Sequence, residues 1–356
     1  MNRTRSKIVS LLLGSVLLLS AAACSTADTS VQAEKSKKDE EQAAVIQEPF
    51  KELQQAADEY LKGTDFKTMT VAEVYETAVL KGDPDYFVLD VRSAAAFAAG
   101  NIPGSVNIPY AVSSKPKYLN NLPKDKNIIV VCFSGHTASQ TAASLNLLGF
   151  NAIPMVNGIG GWTSDPNLGV PIPDAALEHG VTATPAAAGT FEYPVLDIEK
   201  AASVEDLVYE QTERYLASGK PPVLSAGEVK EKVLAVKDSS FYLVDVRSPD
   251  DYKKGHIQGA VNIPANEIAD LEQLKKLPAD KKVLLIGYDG HEASQAARIL
   301  NLLGYDTYAM KDGMRVWTSD PEINGIAPIS AEKIAEYPLE ELNVDLEQDQ
   351  GAASCG

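Results

Sequence analysis

The sequence predicts an α/β protein made of two copies of one domain, each a mostly parallel sheet covered by helices on both faces. Three observations lead there. The chain of 356 residues is longer than one hydrophobic core usually serves, and its apolar fraction of 45% is that of a globular protein. Motifs recur at a fixed offset of 155: Asp90-Val91-Arg92-Ser93 returns as Asp245-Val246-Arg247-Ser248, and Val106-Asn107-Ile108-Pro109 as Val261-Asn262-Ile263-Pro264. Trp162-Thr163-Ser164-Asp165-Pro166 returns as Trp317-Thr318-Ser319-Asp320-Pro321, and Tyr60-Leu61 as Tyr215-Leu216, so a whole domain is repeated. Within each copy, short β-rich runs alternate with helical patterns, the signature of a sheet with crossover helices.

Residues 1–23 have a basic start, Met1–Lys7, an apolar run, Ile8–Leu19, and small residues before Cys24, the layout of a signal peptide. The apolar run falls short of the roughly 20 residues a spanning helix needs. A cysteine directly after small residues resembles the lipobox of bacterial lipoproteins, which implies lipidation at Cys24 and residence on the outer face of the cell membrane. Residues 24–48 are the anchor and a polar, flexible stalk, rich in Ala, Glu, Lys, Ser and Gln.

The first domain is expected over 49–175. Thr70–Leu80 and Thr137–Leu148 read as helices, the second with Gly149 placed to end it. Tyr86–Val91, Ile128–Phe133 and Ala152–Val156 are continuous apolar runs suited to parallel strands buried on both faces. Residues 176–200, small and Pro-punctuated around Val181–Thr190, read as a linker. The second domain follows over 201–335, and 336–356 as an acidic tail.

A net charge of −17 opposes binding to nucleic acid and to anionic headgroups. No metal-ligand spacing, Walker loop or dinucleotide fingerprint is visible, so neither metal nor cofactor is expected. Three cysteines are too few for a disulfide framework, and Cys355 sits in the polar tail as a loose thiol.

The chemistry is expected at Cys132. In Val130-Val131-Cys132-Phe133-Ser134-Gly135-His136-Thr137-Ala138-Ser139 a buried strand ends at the cysteine and a helix begins near Thr137, so the sulfur lies at the carboxyl edge of the sheet, facing a helix N-terminus. Backbone N–H groups there favour negative charge on a ligand or a thiolate, and Gly135 lets several point to one centre. On the loop alone, a small buried hydrophobe ending a strand is an equal reading.

Asp90-Val91-Arg92, Phe97, Gly100, Ile102-Pro103-Gly104, Val106-Asn107-Ile108-Pro109, the Cys132 loop and Gly158-Ile159-Gly160-Gly161-Trp162 together resemble the rhodanese domain, over roughly 66–172 and again over 221–328. The resemblance implies a sulfurtransferase: Cys132 takes sulfane sulfur from a small-molecule donor such as thiosulfate, polysulfide or a persulfide, carries it as a persulfide cradled by loop residues Phe133, Ser134, Gly135, His136 and Thr137, and passes it to a thiol or other thiophilic acceptor. His136 stands where many small rhodaneses have Arg, which weakens the case for anionic donors. Asp90 and Arg92 read as a supporting pair tying a strand end, since Asp245 and Arg247 repeat them in a copy without the nucleophile.

Position 287, the counterpart of 132, is Gly, so the second copy is expected to be inactive, with Asp289 and Glu292 adding negative charge where an anion would sit. A cut before residue 200 is then expected to leave a working first domain. The competing reading is a membrane-tethered scaffold built on two such folds. A cysteine phosphatase is disfavoured, because Ala138 stands where that chemistry needs Arg.

Overall fold

The computed structural model describes residues 49–168, 172–173, 175–196, 198, 201–326 and 334–342. The expected leader and stalk, Cys24 and Cys355 lie outside the described residues. Four parallel strands form the first sheet: β1 (Tyr86–Asp90), β2 (Val106–Asn107), β3 (Asn127–Val131) and β4 (Asn151–Pro154), in the order β2-β1-β3-β4. Met69 adds a parallel bridge to Met155 beside β4. The second sheet has β5 (Val223–Leu224), β6 (Phe241–Asp245), β7 (Val261–Asn262), β8 (Lys282–Ile286) and β9 (Asp306–Met310), in the order β5-β9-β8-β6-β7, again all parallel. The central strand β3 is buried over Ile128, Ile129, Val130 and Val131, which accounts for its unbroken apolar run. Strands β1, β3 and β4 and the helix His136–Leu147 fall where the sequence places them. The expected helix Thr70–Leu80 starts at a capping box of Thr70 with Glu73 and passes from an α-turn, Val71–Val74, into π geometry over Tyr75–Leu80.

The two copies meet across a pseudo-two-fold arrangement. The helix His136–Leu147 packs on its counterpart His291–Leu302, and one central core draws on both copies, including Leu145 and Ala142 from one and Leu300 and Ala296 from the other. Each copy's leading helix reaches across: Tyr60 in helical residues 49–63 donates to Gln295 (2.8 Å), and Tyr215 in Val204–Ala217 donates to Gln140 (3.2 Å).

The segments after each domain are exchanged as well. Leu177 and His179, within the expected linker, donate their N–H groups to Val316 and Trp317 carbonyls at 2.8 Å each, and Thr182 bridges His256. Ala335 and Tyr337, in the corresponding place after the second domain, donate to Gly161 (3.2 Å) and Trp162 (3.1 Å), and Glu340 bridges Asn101. Even the indoles match: Trp162 Nε1 donates to Pro338 O (3.0 Å) and Trp317 Nε1 to Gly180 O (3.1 Å). Tyr337 stacks on Tyr75 at 4.0 Å and closes the outer core of the first domain. Residues 177–182 of the expected linker and 335–342 at the start of the expected tail are therefore bound structure, each segment covering the Trp edge of the other copy.

Candidate active site

Strand β3 stops at Val131, and the chain turns through Cys132–Gly135 into the helix His136–Leu147. The turn requires Gly135, whose φ of +90° a side chain rarely adopts. It aims two backbone amides at the sulfur: the N–H of Gly135 donates to Cys132 Sγ at 3.0 Å and that of Ala138 at 3.4 Å. Cys132 is 2% exposed, so its sulfur sits in a largely desolvated cradle. The turn Gly158–Trp162 holds the cradle from behind: Ile159 N–H donates to Cys132 O (2.9 Å) and Gly160 N–H to Phe133 O (3.0 Å). A Cβ on Gly158 would lie 2.2 Å from Cys132 O, so this glycine is set by close backbone approach.

Asp90 and Arg92 form a buried pair at 2.7 Å, and Arg92 also donates to Gly100 O (2.6 Å) and lies over the Phe133 ring at 5.7 Å. Asp245 and Arg247 repeat this geometry at 2.7 Å, with Gly255 O (2.7 Å) and the Tyr288 ring (5.9 Å). The pair ties a strand end to the end of the following helix in both copies, and through Phe133 it braces the loop.

His136 is turned away from the sulfur and into the interface between the copies. Its Nε2 accepts the Asp312 N–H (3.0 Å), so Nδ1 carries the proton and donates to Ser134 Oγ (3.0 Å). Its ring stacks on His291 with centroids 5.1 Å apart. Burial pushes its pKa down to about 4, against the opposing pull of Asp312. The Asp312 carboxylate is 4.0 Å from Nε2 but is engaged by Arg315 at 3.1 Å, so the contact is not an ion pair at neutral pH. No fixed positive charge is contributed to the loop by this residue. Thr137 is half-buried at the start of the helix, its carbonyl accepting from Thr141 (2.9 Å).

Sequence reasoning missed the second copy's share of the site. His291 Cε1 would meet a Cβ on Gly135 at 2.3 Å, and His136 Nε2 one on Gly290 at 2.8 Å, so each histidine covers the other copy's loop glycine. The repeated Gly-His pair was the available signal. At the second loop, the Glu292 carboxyl fills the cradle: its Oε1 accepts the Tyr288 N–H at 2.5 Å and lies 2.2 Å from where a Cβ on Gly287 would be. Burial, then the neighbouring Asp289 charge, push the pKa of Glu292 up to about 8. Asp289 is lowered: burial works to raise it but is outweighed by His291, the His291 N–H and Arg315. A carboxyl group thus occupies the place that the first copy gives to sulfur, and Thr137 is the shorter residue at the matching position.

The rhodanese-like domain family matches residues 73–165 and 225–320. The chain is 30% identical over 90 residues to the thiosulfate sulfurtransferase GlpE of Pseudomonas entomophila, covering 25% of this chain and 81% of that protein. It is 29% identical over 109 residues to the uncharacterized protein YibN of Escherichia coli K12, covering 29% and 71%. Among solved structures, a rhodanese-like domain protein from Staphylococcus aureus is 26% identical, with 28% of this chain and 94% of that one covered and a TM-score of 0.25. With two such domains spanning more than half of its length, and relatives that include sulfurtransferases, this chain belongs to the rhodanese-like domain family.

Proposed function

We propose that the chain is a sulfurtransferase that works through Cys132 alone, with the second copy inactive. The observation that carries the reading is the cradle itself, two amide N–H groups at 3.0 and 3.4 Å from a sulfur at the start of a helix. In the first half-reaction the Cys132 thiolate attacks the outer sulfur of a donor such as thiosulfate. The donor S–S bond breaks, sulfite leaves with the electron pair, and a persulfide anion remains against the loop amides. In the second, an acceptor thiolate attacks the terminal sulfur and departs as a persulfide, regenerating the Cys132 thiolate with no net oxidation. Polysulfide or an organic persulfide serves equally as donor, and the neutral His136 makes uncharged or weakly charged donors better suited than an Arg-bearing loop would.

Intact-protein mass spectrometry after exposure to thiosulfate, polysulfide or an organic persulfide tests the reading. Cys132 gains the mass of one sulfur atom, Cys132→Ser does not, and Cys355→Ser still does. If no donor modifies Cys132, the scaffold reading takes its place. We further propose export, with lipid on Cys24 holding the protein to the outer face of the membrane. Cys24→Ala then moves the protein out of the membrane fraction or leaves it unprocessed, and unchanged fractionation with no lipid mass overturns this part.

A further inference from the structure

One buried arginine has no place in the sulfur chemistry. Arg298, on the helix His291–Leu302, is 1% exposed. Its Nη2 donates to Tyr110 Oη (2.6 Å) and Gln140 Oε1 (3.3 Å), and its guanidinium lies over the Tyr215 ring at 4.2 Å. Its Nε and Nη1 are buried without a partner, and no carboxylate pairs with it among the described residues. Arg298 borders a small cavity of about 10 Å³ lined by residues of both copies, among them Ser144 and Thr212, whose hydroxyls are likewise buried and unpartnered. The three residues that carry these four unpartnered donors therefore line one space the size of a small particle.

The pseudo-two-fold supplies an internal control. The offset of 155 carries Arg298 to Ala143, Ser144 to Ile299, Thr212 to Ala57 and Thr141 to Ala296. At the mate location the same fold packs these positions as plain apolar core. Polarity here is thus not a demand of the fold. A buried cation costs much stability unless an opposite charge compensates it. A water could accept from only two of the four donors and would leave the charge uncompensated.

We propose that this cavity binds one chloride-sized monovalent anion, held by Arg298 Nε and Nη1 and the Ser144 and Thr212 hydroxyls. The site is independent of Cys132, and polyatomic anions such as sulfate or thiosulfate are too large for it. Bound anion pins three elements together: the loop helix of the first copy through Ser144, the leading helix Val204–Ala217 through Thr212, and the second copy through Arg298.

The test is the Tm of the full chain in sodium chloride against sodium gluconate at constant ionic strength, paired with diffraction from bromide-soaked crystals. Chloride should raise Tm saturably by roughly 3–6 °C. Sulfate should give no saturable rise, and bromide should show an anomalous peak within hydrogen-bond distance of Arg298. The double substitution Arg298→Ala with Ser144→Ile, which copies the mate residues, should abolish the chloride response. Should that variant fail to fold, Thr212→Ala, which removes one hydroxyl, should raise the chloride midpoint about fivefold. Equal Tm in chloride and gluconate, or a water in place of bromide beside Arg298, overturns the proposal.

Discussion

His136, at the start of the loop helix, faces the second copy and not the sulfur. As a loop residue it would be a weak positive charge beside the sulfur; as placed, it is a neutral acceptor for Asp312 and a stacking partner for His291. Its folded pKa of about 4 lies below the ordinary value of 6.5. Between those values the unfolded chain binds the proton and the folded one does not, so stability is full above pH 6.5 and falls as pH drops toward 4, at up to roughly 1.4 kcal/mol per pH unit. His136→Gln, whose Oε1 can still accept the Asp312 N–H, should flatten that acid limb in denaturant titrations across this window. An unchanged pH profile would show that His136 does not carry it. The buried pair of Asp90 and Arg92 is different in kind, because it was legible as structural from its repetition alone. Its ion-pair distance is 2.7 Å in both copies.

At the scale of the element, the two cysteine-type loops are one backbone with two contents. In the first, amides face a sulfur; in the second, the Glu292 carboxyl takes its place beside Gly287. A carboxyl whose pKa is raised from 4.5 to about 8 keeps its proton in the fold while the unfolded chain loses it, so it opposes folding increasingly as pH rises through that window. Glu292→Gln keeps an oxygen for the Tyr288 N–H and a donor for Asp289, and has no proton to lose. It should therefore be more stable than the parent, by a margin that grows from pH 5 to pH 8 at up to roughly 1.4 kcal/mol per unit. A margin independent of pH would refute the assignment. Strand β3, the following helix and the sulfur at their junction were readable beforehand because they rest on local pattern: a buried apolar run, a glycine at positive φ, a helical stripe. That Glu292 would fold back into its own loop was not readable, since its negative charge was visible but its direction was set by contacts made only in the folded state.

Across the whole molecule, the repeat was plain in the sequence and the exchange of segments was not. Residues 334–342 carry no periodicity, and their partners Trp162 and Asn101 lie more than a domain away in the chain. The expectation that a cut before residue 200 leaves a working first domain therefore does not suit the architecture. Such a fragment lacks the cover on Trp162, the stack of Tyr337 on Tyr75, and the second copy's His291 and Asp312. We expect it to be unfolded or at least tenfold less active, while coexpression with residues 201–356 restores activity. A milder truncation after residue 333 should cost about 2 kcal/mol and lower Tm by roughly 4–8 °C, read by calorimetry. Full stability of either truncated form would show the exchanged segments to be dispensable.

The exchange also fixes an order of events in time. During synthesis the first domain can pair its strands as soon as β4 has emerged, yet its Trp162 edge stays open until residues 335–342, more than a domain later, appear. The second domain has its cover in hand from the start, because residues 177–182 precede it. Closure of the earlier-made half thus waits until residues 335–342 have been made, and the contacts that complete it have among the longest sequence separations in the described residues, the kind that slow folding. A newborn chain that has not yet reached residue 335 is held in a loosened, unfinished state in which the half bearing Cys132 closes after the other.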